Sequence, residues 1–314
     1  MTKKNVQIVA INDLTDTKTL AHLLKYDSVY GRYHKNISHD NKGIKVDKRF
    51  FPVYAIPDPK KLPWKKLKVD IVLECTGRFT KAEDAKKHLK AGAKKVILSA
   101  PAKSEGIQTL VLGTESLKKN IKKNNLISNA SCTTNCTSPV MQVLDSNFNI
   151  EKAFLSTIHG YTATQNIQDG PHKDLRRARA AAHNIVPTTT GAAIATSKAI
   201  PKLENIFDGI AIRVPVIDGS LIDITALIKK NTSAEEVNRA FIKAAKNPLY
   251  KGILTVTNES IVSTDIIGSP YSAIVDLQFT KVIGNNLVKV IAWYDNEFGY
   301  SNRLIELAIK VGKQ

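Results

Sequence analysis

The chain has 314 residues, of which 43% are hydrophobic and 24% charged, a profile typical of a globular protein long enough for two domains. No apolar run approaches the ~18 residues that a membrane span needs, so no membrane association and a cytoplasmic location are expected. Three cysteines cannot build a disulfide framework in a chain of this length, and their spacing predicts no metal site.

The formal net charge of +18 raises the question of nucleic-acid binding. Most basic residues are lysines scattered in pairs, such as Lys60-Lys61 and Lys86-Lys87, which is typical of solvated helix ends and loops. One run is rich in arginine instead, and it contains Arg176, Arg177 and Arg179. Planar guanidinium groups suit a phosphate. The pattern therefore favours small anionic ligands over a nucleic-acid surface.

The first third of the chain alternates apolar, β-branched runs with helical patterns. We predict strands over Val6–Ile11, Val69–Cys75 and Lys95–Ala100, a helix over Thr17–Lys25, and a lysine-rich helix that ends at Gly92. Repeated strand-then-helix units predict an α/β fold with a doubly wound parallel sheet of the Rossmann type.

After about Cys132 the pattern changes to long runs with a two-residue alternation, which predicts a second, α+β domain on an antiparallel sheet. The predicted strands are 153–159, 209–216, 220–228, 272–283 and 287–294, with helices over 190–200, 234–246 and 301–311. We therefore expect an N-terminal domain over 1–131 and a second domain over 132–297, with a C-terminal helix over 298–314 that packs on the first.

Cys132 is the first candidate for chemistry. It lies in the run Ser128–Cys136 (SNASCTTNC), between a strand and a helix, so it is expected at a helix N-terminus. Unpaired N–H groups and the helix dipole at such a position favour a thiolate and lower a cysteine pKa. Local context alone leaves open whether Cys132 is a nucleophile or a small buried residue.

His159 is the second candidate, 27 residues later, at the end of an apolar strand where the sequence turns polar. An imidazole there can take a proton from a nucleophile and stabilise the charge that develops on an attacked carbonyl oxygen. A single histidine at a strand end is more often structural, so the pairing of His159 with Cys132 is only weakly predicted by their positions.

Five strings together are far more specific than either residue. The runs SNASCTTNC, HGYTATQ, DLRRARAAA, PTTTGAA and WYDNEFGYSNR stand in the order and spacing of the glyceraldehyde-3-phosphate dehydrogenases, which the chain resembles from about Val6 to its C-terminus. The resemblance implies an NAD-dependent oxidoreductase of glycolysis that converts glyceraldehyde 3-phosphate and inorganic phosphate to 1,3-bisphosphoglycerate. It also implies a homotetramer, because Gln168–Pro187 matches a loop found at the family's subunit interface.

The resemblance also assigns roles to residues. It implies that Cys132 forms a thioester while His159 acts as base. It places the substrate phosphate on Thr162, Arg177 and Arg213, and the attacking phosphate on Ser131, Thr133, Thr190 and Gly191. Hydroxyl groups, a glycine that allows close approach and arginine forks are suitable phosphate ligands. Taken alone, Thr190 and Gly191 could simply cap the following helix, and Arg213 could pair with an interior acid.

On the cofactor side, the resemblance places Asp13 where a carboxylate accepts hydrogen bonds from the adenosine ribose. An acid there favours NAD over NADP, because it repels a 2′-phosphate. The other positions that the resemblance places along the dinucleotide are Leu14, Thr76, Gly77, Ser99, Asn296 and Tyr300, with Asn296 on the nicotinamide carboxamide.

The N-terminus departs from the family pattern. The family begins with a strand, a glycine-rich turn and a helix, and no G-x-G-x-x-G occurs in this sequence. We therefore expect the first strand, the turn and the first helix to be missing, about 25 residues by alignment with the family. Without these elements we expect the chain as written to bind NAD weakly and to transfer hydride poorly.

Two alternative functions stay open at this point. Within the same class, an erythrose-4-phosphate dehydrogenase shares the cysteine and the histidine. In another class, a non-catalytic remnant could use the +18 charge to bind nucleic acid. The first predicts aldehyde oxidation without a need for phosphate, and the second predicts salt-sensitive binding that survives loss of Cys132.

Overall fold

A computed structural model describes residues 5–118 and 124–313. Within these ranges the chain forms two compact units. Unit 1 comprises residues 5–108, 124–127 and 308–313, and unit 2 comprises residues 109–118 and 128–307. The domain ranges 1–131, 132–297 and 298–314 stay a prediction, and their residues 1–4, 119–123 and 314 lie outside the described residues.

Unit 1 begins with short strands and one helix, α1 (Thr17–Lys25). The strands are β1 (Ile11–Asn12), β2 (Tyr26–Asp27), β3 (Gly31–Arg32), β4 (Ile37–Asp40), β5 (Gly43–Val46) and β6 (Arg49–Tyr54). One sheet has the order β1-β6-β5-β4, in which β1 pairs with β6 in parallel and the other pairs are antiparallel, and β2 pairs with β3. The predicted bounds of this helix are correct. In the structure Asp16 caps it by accepting a hydrogen bond from the N–H of Thr19.

A second sheet in this part of the chain follows the strand-helix-strand pattern. Its elements are β7 (Ile71–Glu74), α2 (Ala82–Lys90), β8 (Lys95–Leu98), β9 (Gln108–Thr109) and β10 (Leu126–Ser128), with the sheet order β7-β8-β10-β9. β7 and β8 pair in parallel around a core that contains Val72, Ala85, Val96 and Leu98. The predicted α/β fold class is confirmed.

The prediction of a strand over Val6–Ile11 is wrong for most of its length. Only Ile11 and Asn12 form β1, opposite Val53 and Tyr54, while Val6 and Ile8 are exposed. Backbone N–H and C=O groups need a partner strand to form a ladder. Among residues 5–118 and 124–313, no strand pairs with the second edge of β1.

Unit 2 is built on a seven-stranded sheet with the order β12-β13-β11-β14-β17-β16-β15. Its strands are β11 (Ile150–Gly160), β12 (Val186–Thr189), β13 (Phe207–Val214), β14 (Ser220–Ile228), β15 (Leu254–Thr257), β16 (Ala273–Ile283) and β17 (Leu287–Tyr294). The expected antiparallel sheet is in fact mixed, because β13 runs parallel to β11, and β15 runs parallel to β16. The other pairs are antiparallel.

The helices that begin in unit 2 are α3 (Cys132–Phe148), α4 (Ala192–Ala199), α5 (Ala234–Ala245) and α6 (Phe298–Gly312), and the last five residues of α6 belong to unit 1. α3 is buried along most of its length and shares one core with alternate residues of β14 such as Ile222, Ile224 and Ala226. α5 begins with a capping box between Ser233 and Glu236. In the described part of the chain, no helix combines the length and apolar character needed to cross a membrane.

Candidate active site

Cys132 is the first residue of α3, as predicted. The hydroxyl of Ser131 caps the helix by accepting a hydrogen bond from the N–H of Thr134 at 3.1 Å. Just before it, Ala130 has a φ of 55°, so the chain turns sharply between β10 and α3. This left-handed residue is unusual for an alanine and sets the direction in which Cys132 leaves the turn.

The structure places Cys132 next to His159. Cys132 Sγ lies 3.4 Å from His159 Nε2, although the two residues belong to different elements and are separated by 27 positions. His159 lies near the end of β11, and it is only 3% exposed. Its ring packs edge-on against Tyr294, with ring centroids 5.9 Å apart. A nucleophile and a base within hydrogen-bonding reach form the arrangement expected for covalent catalysis.

Tyr294 was not singled out from the sequence, although it holds this site together. Its hydroxyl lies 2.9 Å from that of Thr133 and 3.0 Å from that of Thr157, which ties β17 to α3 and β11. Buried residues alternate along β17, and this alternation places the Tyr294 side chain on the inward-facing side of the strand. Nothing local in the sequence shows that its ring lies against His159.

The thiolate expected at Cys132 stays a prediction, and burial of the sulfur acts against it. Burial raises the pKa of the Cys132 thiol, and the charge of Arg213 and a hydrogen bond from the Thr133 N–H only partly offset this. Burial, together with Arg213, lowers the pKa of His159 to about 4. Burial therefore disfavours the charged form of both groups.

Arg213 lies directly behind the histidine. It is the residue opposite His159 in the parallel pairing of β11 and β13, and its Nη1 is 2.9 Å from His159 Nδ1. The same Nη1 donates to the carbonyl oxygen of Gly160 at 2.8 Å. The alternative that Arg213 pairs with an interior acid is not seen, since no carboxylate contacts it within the described residues.

Arg177 forms a second positive group in unit 2. Its guanidinium donates to the hydroxyls of Thr188 at 3.0 Å and Thr164 at 3.3 Å. Thr164 in turn contacts the hydroxyl of Thr162 at 2.9 Å. The charge of Arg177 contributes to a lowered pKa of Arg213, after the larger effect of burial, so the two guanidinium groups repel one another. Two nearby cations beside hydroxyl groups can bind an anion.

The remaining predicted phosphate ligands are engaged locally. The hydroxyl of Thr133 contacts Tyr294, and that of Ser131 caps α3. The hydroxyl of Thr190 accepts from the N–H of Ala192 at 3.2 Å. Gly191 is the N-cap residue of α4, and no atom lies within 4 Å of a Cβ placed on it. The structure thus shows the capping role of Thr190, and it gives no contact between Thr190 or Gly191 and Cys132.

Two predicted cofactor residues lie in unit 2. Asn296 is buried, and its Oδ1 accepts a hydrogen bond from the hydroxyl of Ser220 at 2.6 Å. This contact orients the amide so that its Nδ2, which has no partner among the described residues, is free to donate to a carboxamide oxygen. The Tyr300 hydroxyl donates to the carbonyl of Ala130 at 3.0 Å, in the turn before Cys132. Ser220 could not be recognised from the sequence, because its contact with Asn296 spans 76 positions.

The other predicted cofactor residues lie in unit 1, where they follow strands. Asp13, directly after β1, is exposed and accepts the N–H of Thr15 at 2.9 Å, and Leu14 is 58% exposed. After β7, both the N–H and the hydroxyl of Thr76 donate to Glu74. Turns that follow strands, and that carry an exposed carboxylate or a glycine with open space beside it, are suited to bind a dinucleotide. Gly77 supplies that open turn, with a φ of 69°, and Ser99 follows β8.

Comparisons with family models and with curated proteins point to the same family along most of the chain. The family model for the C-terminal domain of glyceraldehyde 3-phosphate dehydrogenase matches residues 131–296, and that for its NAD binding domain matches residues 1–82. Glyceraldehyde-3-phosphate dehydrogenase 2 of Streptomyces avermitilis is 52% identical over 310 residues, which cover 99% of this chain and 92% of the relative. Glyceraldehyde-3-phosphate dehydrogenase of Geobacillus stearothermophilus is 50% identical with the same coverage.

These comparisons correct one prediction. The match to the NAD binding domain starts at residue 1, so it does not support the prediction that the family's first strand, glycine-rich turn and first helix are missing. The comparisons support the predicted cofactor and enzyme class: the protein is an oxidoreductase whose cofactor is NAD. Family models that cover most of the sequence and relatives about half identical along nearly all of it show that the chain belongs to the glyceraldehyde-3-phosphate dehydrogenase family.

Proposed function

We propose that this protein catalyses the NAD-dependent oxidation and phosphorylation of glyceraldehyde 3-phosphate to 1,3-bisphosphoglycerate, through a thioester on Cys132. The observation that carries the proposal is the 3.4 Å contact between Cys132 Sγ and His159 Nε2, with the cationic Arg213 behind the ring. The names of the relatives supply the substrate class. The Cys132–His159 pair supplies the nucleophile and the base for the reaction.

The first step forms a carbon–sulfur bond. Cys132 Sγ attacks the aldehyde carbon while its proton passes to His159 Nε2, whose lowered pKa marks a neutral imidazole able to accept it. The protonated ring then donates a hydrogen bond to the new oxyanion. Because His159 is buried, this charge-assisted hydrogen bond forms where water screens it little.

The second step makes the thioester and the third releases it. Bound NAD would supply the hydride acceptor for oxidation of the former aldehyde carbon. The protonated ring of His159, which carries the proton of the former thiol, then passes this proton to solvent and becomes neutral again. An oxygen of inorganic phosphate then attacks the carbonyl carbon, the carbon–sulfur bond breaks, and Cys132 leaves as a thiolate that recovers a proton.

Two anion sites in unit 2 serve these steps. We assign the phosphate of the substrate to Arg177, Arg213 and Thr162. Among the described residues, Arg213 has no carboxylate partner, and Arg177 pairs only with Asp174, at 3.6 Å. We assign the attacking phosphate to Ser131, Thr133, Thr190 and Gly191, which lie at the N-termini of α3 and α4. Thr190 and Ser131 would have to share their hydroxyls between the helix cap and the phosphate.

For NAD, we assign Asp13 to the adenosine ribose and Asn296 to the nicotinamide carboxamide. The free Nδ2 of Asn296, fixed by Ser220, supports the second assignment. Leu14, Thr76, Gly77, Ser99 and Tyr300 would line the dinucleotide. Their positions after strands or beside the Cys132 turn support these roles.

We further propose a homotetramer in the cytoplasm. Large apolar side chains in and beside the loop 168–187 are open to solvent in the single chain, with Ile167 84%, Leu175 81% and Ile185 69% exposed, which supports burial in a subunit interface. The three free cysteines fit a reducing compartment. We expect no nucleic-acid partner, and a native mass spectrum of the purified protein tests the assembly.

The proposed activity is tested by NADH absorbance on addition of glyceraldehyde 3-phosphate, NAD and inorganic phosphate. We expect NADH formation that requires phosphate and is lost in Cys132→Ser. Cys136→Ala is the matched control, because Cys136 lies one turn further along the same helix in the core. Oxidation of erythrose 4-phosphate without a requirement for phosphate would instead indicate the related dehydrogenase, and an unchanged rate in Cys132→Ser would refute the mechanism.

A further inference from the structure

Three buried polar side chains form a series of hydrogen bonds inside unit 1. The indole Nε1 of Trp64 donates to His88 Nδ1 at 3.1 Å, and His88 Nε2 lies 2.9 Å from Glu74 Oε2. Each of the three residues is no more than 5% exposed. They come from a turn before β7, from the end of β7 and from α2, so the fold brings together residues up to 24 positions apart.

The partners of His88 fix the position of its ring proton. An indole N–H can only donate, so Nδ1 of His88 must be bare to accept it. The ring proton then lies on Nε2, and this N–H donates to Glu74 Oε2. A doubly protonated ring would set its own Nδ1–H against the indole N–H. The contacts therefore define His88 as a neutral ring that donates to a carboxylate.

The other oxygen of Glu74 holds the turn that follows β7. Its Oε1 accepts the N–H of Thr76 at 2.8 Å, and it also accepts the Thr76 hydroxyl. Burial acts to raise the pKa of Glu74, but the hydrogen bonds from His88 and Thr76 outweigh it and lower the pKa. Three donors on one carboxylate restrict its orientation. The Glu74 side chain thus links the buried His88 to the turn at Thr76.

The backbone of Glu74 reaches the end of the neighbouring strand as well. Its carbonyl oxygen accepts the N–H of Ser99 at 2.9 Å, directly after β8, which runs parallel to β7. Glu74 therefore contacts two of the residues that we assign to the dinucleotide. The ends of adjacent parallel strands are where α/β proteins bind dinucleotides. A ligand at this edge can contact Thr76, which is exposed, whereas Glu74 lies buried beneath it.

The contact with Glu74 also determines what the Thr76 hydroxyl can bind. Its proton is donated to Glu74, and one of its lone pairs accepts the N–H of Arg78 at 3.1 Å. The second lone pair has no partner among the described residues. A ligand group at this position must therefore be a donor, such as a hydroxyl or an amino group, because a charged phosphate oxygen would be repelled.

We propose that Trp64, His88 and Glu74 are positioning residues for NAD, which fix the turn after β7 so that the Thr76 hydroxyl accepts a hydrogen bond from a hydroxyl or amino group of the dinucleotide. Each of the three acts through its neighbour in the series rather than by touching the cofactor. Loss of His88 would leave the buried carboxylate with one donor fewer, and the turn would lose its fixed orientation. This inference rests on the proposed function, because it uses the assignment of Thr76 to NAD.

The test compares the NAD affinity of variants of the full chain by calorimetry. His88→Leu removes both hydrogen bonds of the ring, and we expect NAD to bind about tenfold more weakly. In His88→Gln the amide can accept from Trp64 and donate to Glu74, so affinity should return to within about twofold of the wild type. Val72→Ala is the matched control, because Val72 is buried on the same face of β7 as Glu74. It should lower the thermal midpoint and leave NAD affinity unchanged.

Amide hydrogen exchange gives a second readout, which a loss of packing alone should not change. The Thr76 N–H is bound by Glu74, so we expect it to exchange slowly in the wild type and in Val72→Ala, and faster in His88→Leu. Trp64→Phe keeps an aromatic ring but removes the N–H donor, and it should weaken NAD binding by about two- to threefold. This variant decides the matter by both readouts if His88→Leu does not fold.

The possible failures are distinguishable. If His88→Leu binds NAD as tightly as Val72→Ala does, or if His88→Gln does not restore affinity, the positioning role is wrong and the proposed function stands. Equal exchange of the Thr76 N–H in all variants would also contradict the inference. If Thr76→Val, which lacks the hydroxyl, binds NAD like the wild type, then the assignment of Thr76 in the proposed function fails together with the inference that rests on it.

Discussion

The predicted functional residues of the two units are held in different ways. In unit 2, Cys132, His159 and Arg213 contact one another in a continuous series, although they come from three different elements. In unit 1, Asp13 and Thr76 are exposed, and the side chain of each makes hydrogen bonds only with residues two positions away. Chemistry on a bound aldehyde needs groups that are pre-arranged with respect to each other. Recognition of a cofactor needs groups that remain available to it.

This contrast predicts that substitutions in unit 2 alter the reactivity of the sulfur itself. The largest effect is expected from His159→Asn, which removes the base while leaving a polar side chain of smaller size. Loss of a general base lowers kcat by about 10²- to 10⁴-fold. Steady-state NADH formation measures this. His39→Asn, an exposed histidine of β4 in unit 1, should leave kcat unchanged, and equal losses in both variants would contradict the contrast.

Burial of His159 also predicts a pH dependence of stability. Its pKa is about 4 in the folded protein against 6.5 when exposed, so folding favours the neutral ring. The stabilisation is complete above about pH 6.5 and is lost as pH falls towards 4, with a total of about 3 kcal/mol. The thermal midpoint of the wild type should therefore fall more steeply than that of His159→Asn across this window. Parallel curves would show that His159 is not held in its neutral form.

A substitution in unit 1 should change cofactor binding without changing the thiol. Asp13→Asn removes a charge that would accept hydrogen bonds from ribose, a contribution of about 1.5–3 kcal/mol for a charged group. Calorimetry should thus show an affinity for NAD that is about tenfold weaker or more. The rate of Cys132 alkylation by iodoacetamide in the absence of ligands should stay at the wild-type value. A changed alkylation rate would mean that the two sets of residues are coupled.

The smallest effect is expected for Ser220→Ala. The Ser220 hydroxyl fixes the amide of Asn296, and loss of one such hydrogen bond costs about 0.5–1.5 kcal/mol. We expect NAD affinity to fall by about 2- to 13-fold in a binding titration. Ser197→Ala is the control, because that hydroxyl donates only to backbone carbonyls of α4 and its following turn. Unchanged NAD affinity in Ser220→Ala would argue against the role of Asn296.

The sequence predicted features that depend on local chemistry. The bounds of α1 follow from the Asp16 cap and the leucine spacing, and β14 follows from strict alternation. The parallel pairing of β13 with β11 was missed, because pairing direction depends on contacts between distant segments. The strand over Val6–Ile11 failed for the same reason, since an apolar run does not reveal whether it has a partner.

For the site, motifs identified Cys132 and His159, but their protonation could not be predicted. The N-terminus of α3 is a local feature that favours a thiolate, whereas desolvation depends on how α3, β11 and β17 pack, and desolvation is the larger effect. The contact between Arg213 and His159 could not be predicted from the sequence either. Its place behind His159 is fixed by strand register, so the residue could be assigned to a phosphate from the sequence but not to the ring.

The most direct test of the central claim is to trap the thioester. The protein is mixed with glyceraldehyde 3-phosphate and NAD without inorganic phosphate, quenched in acid and analysed by intact and peptide mass spectrometry. The account predicts a 3-phosphoglyceroyl adduct on Cys132 that is absent in Cys132→Ser and disappears when phosphate is added before the quench. An active protein with no adduct, with an adduct on another residue, or with one that phosphate does not discharge would contradict it.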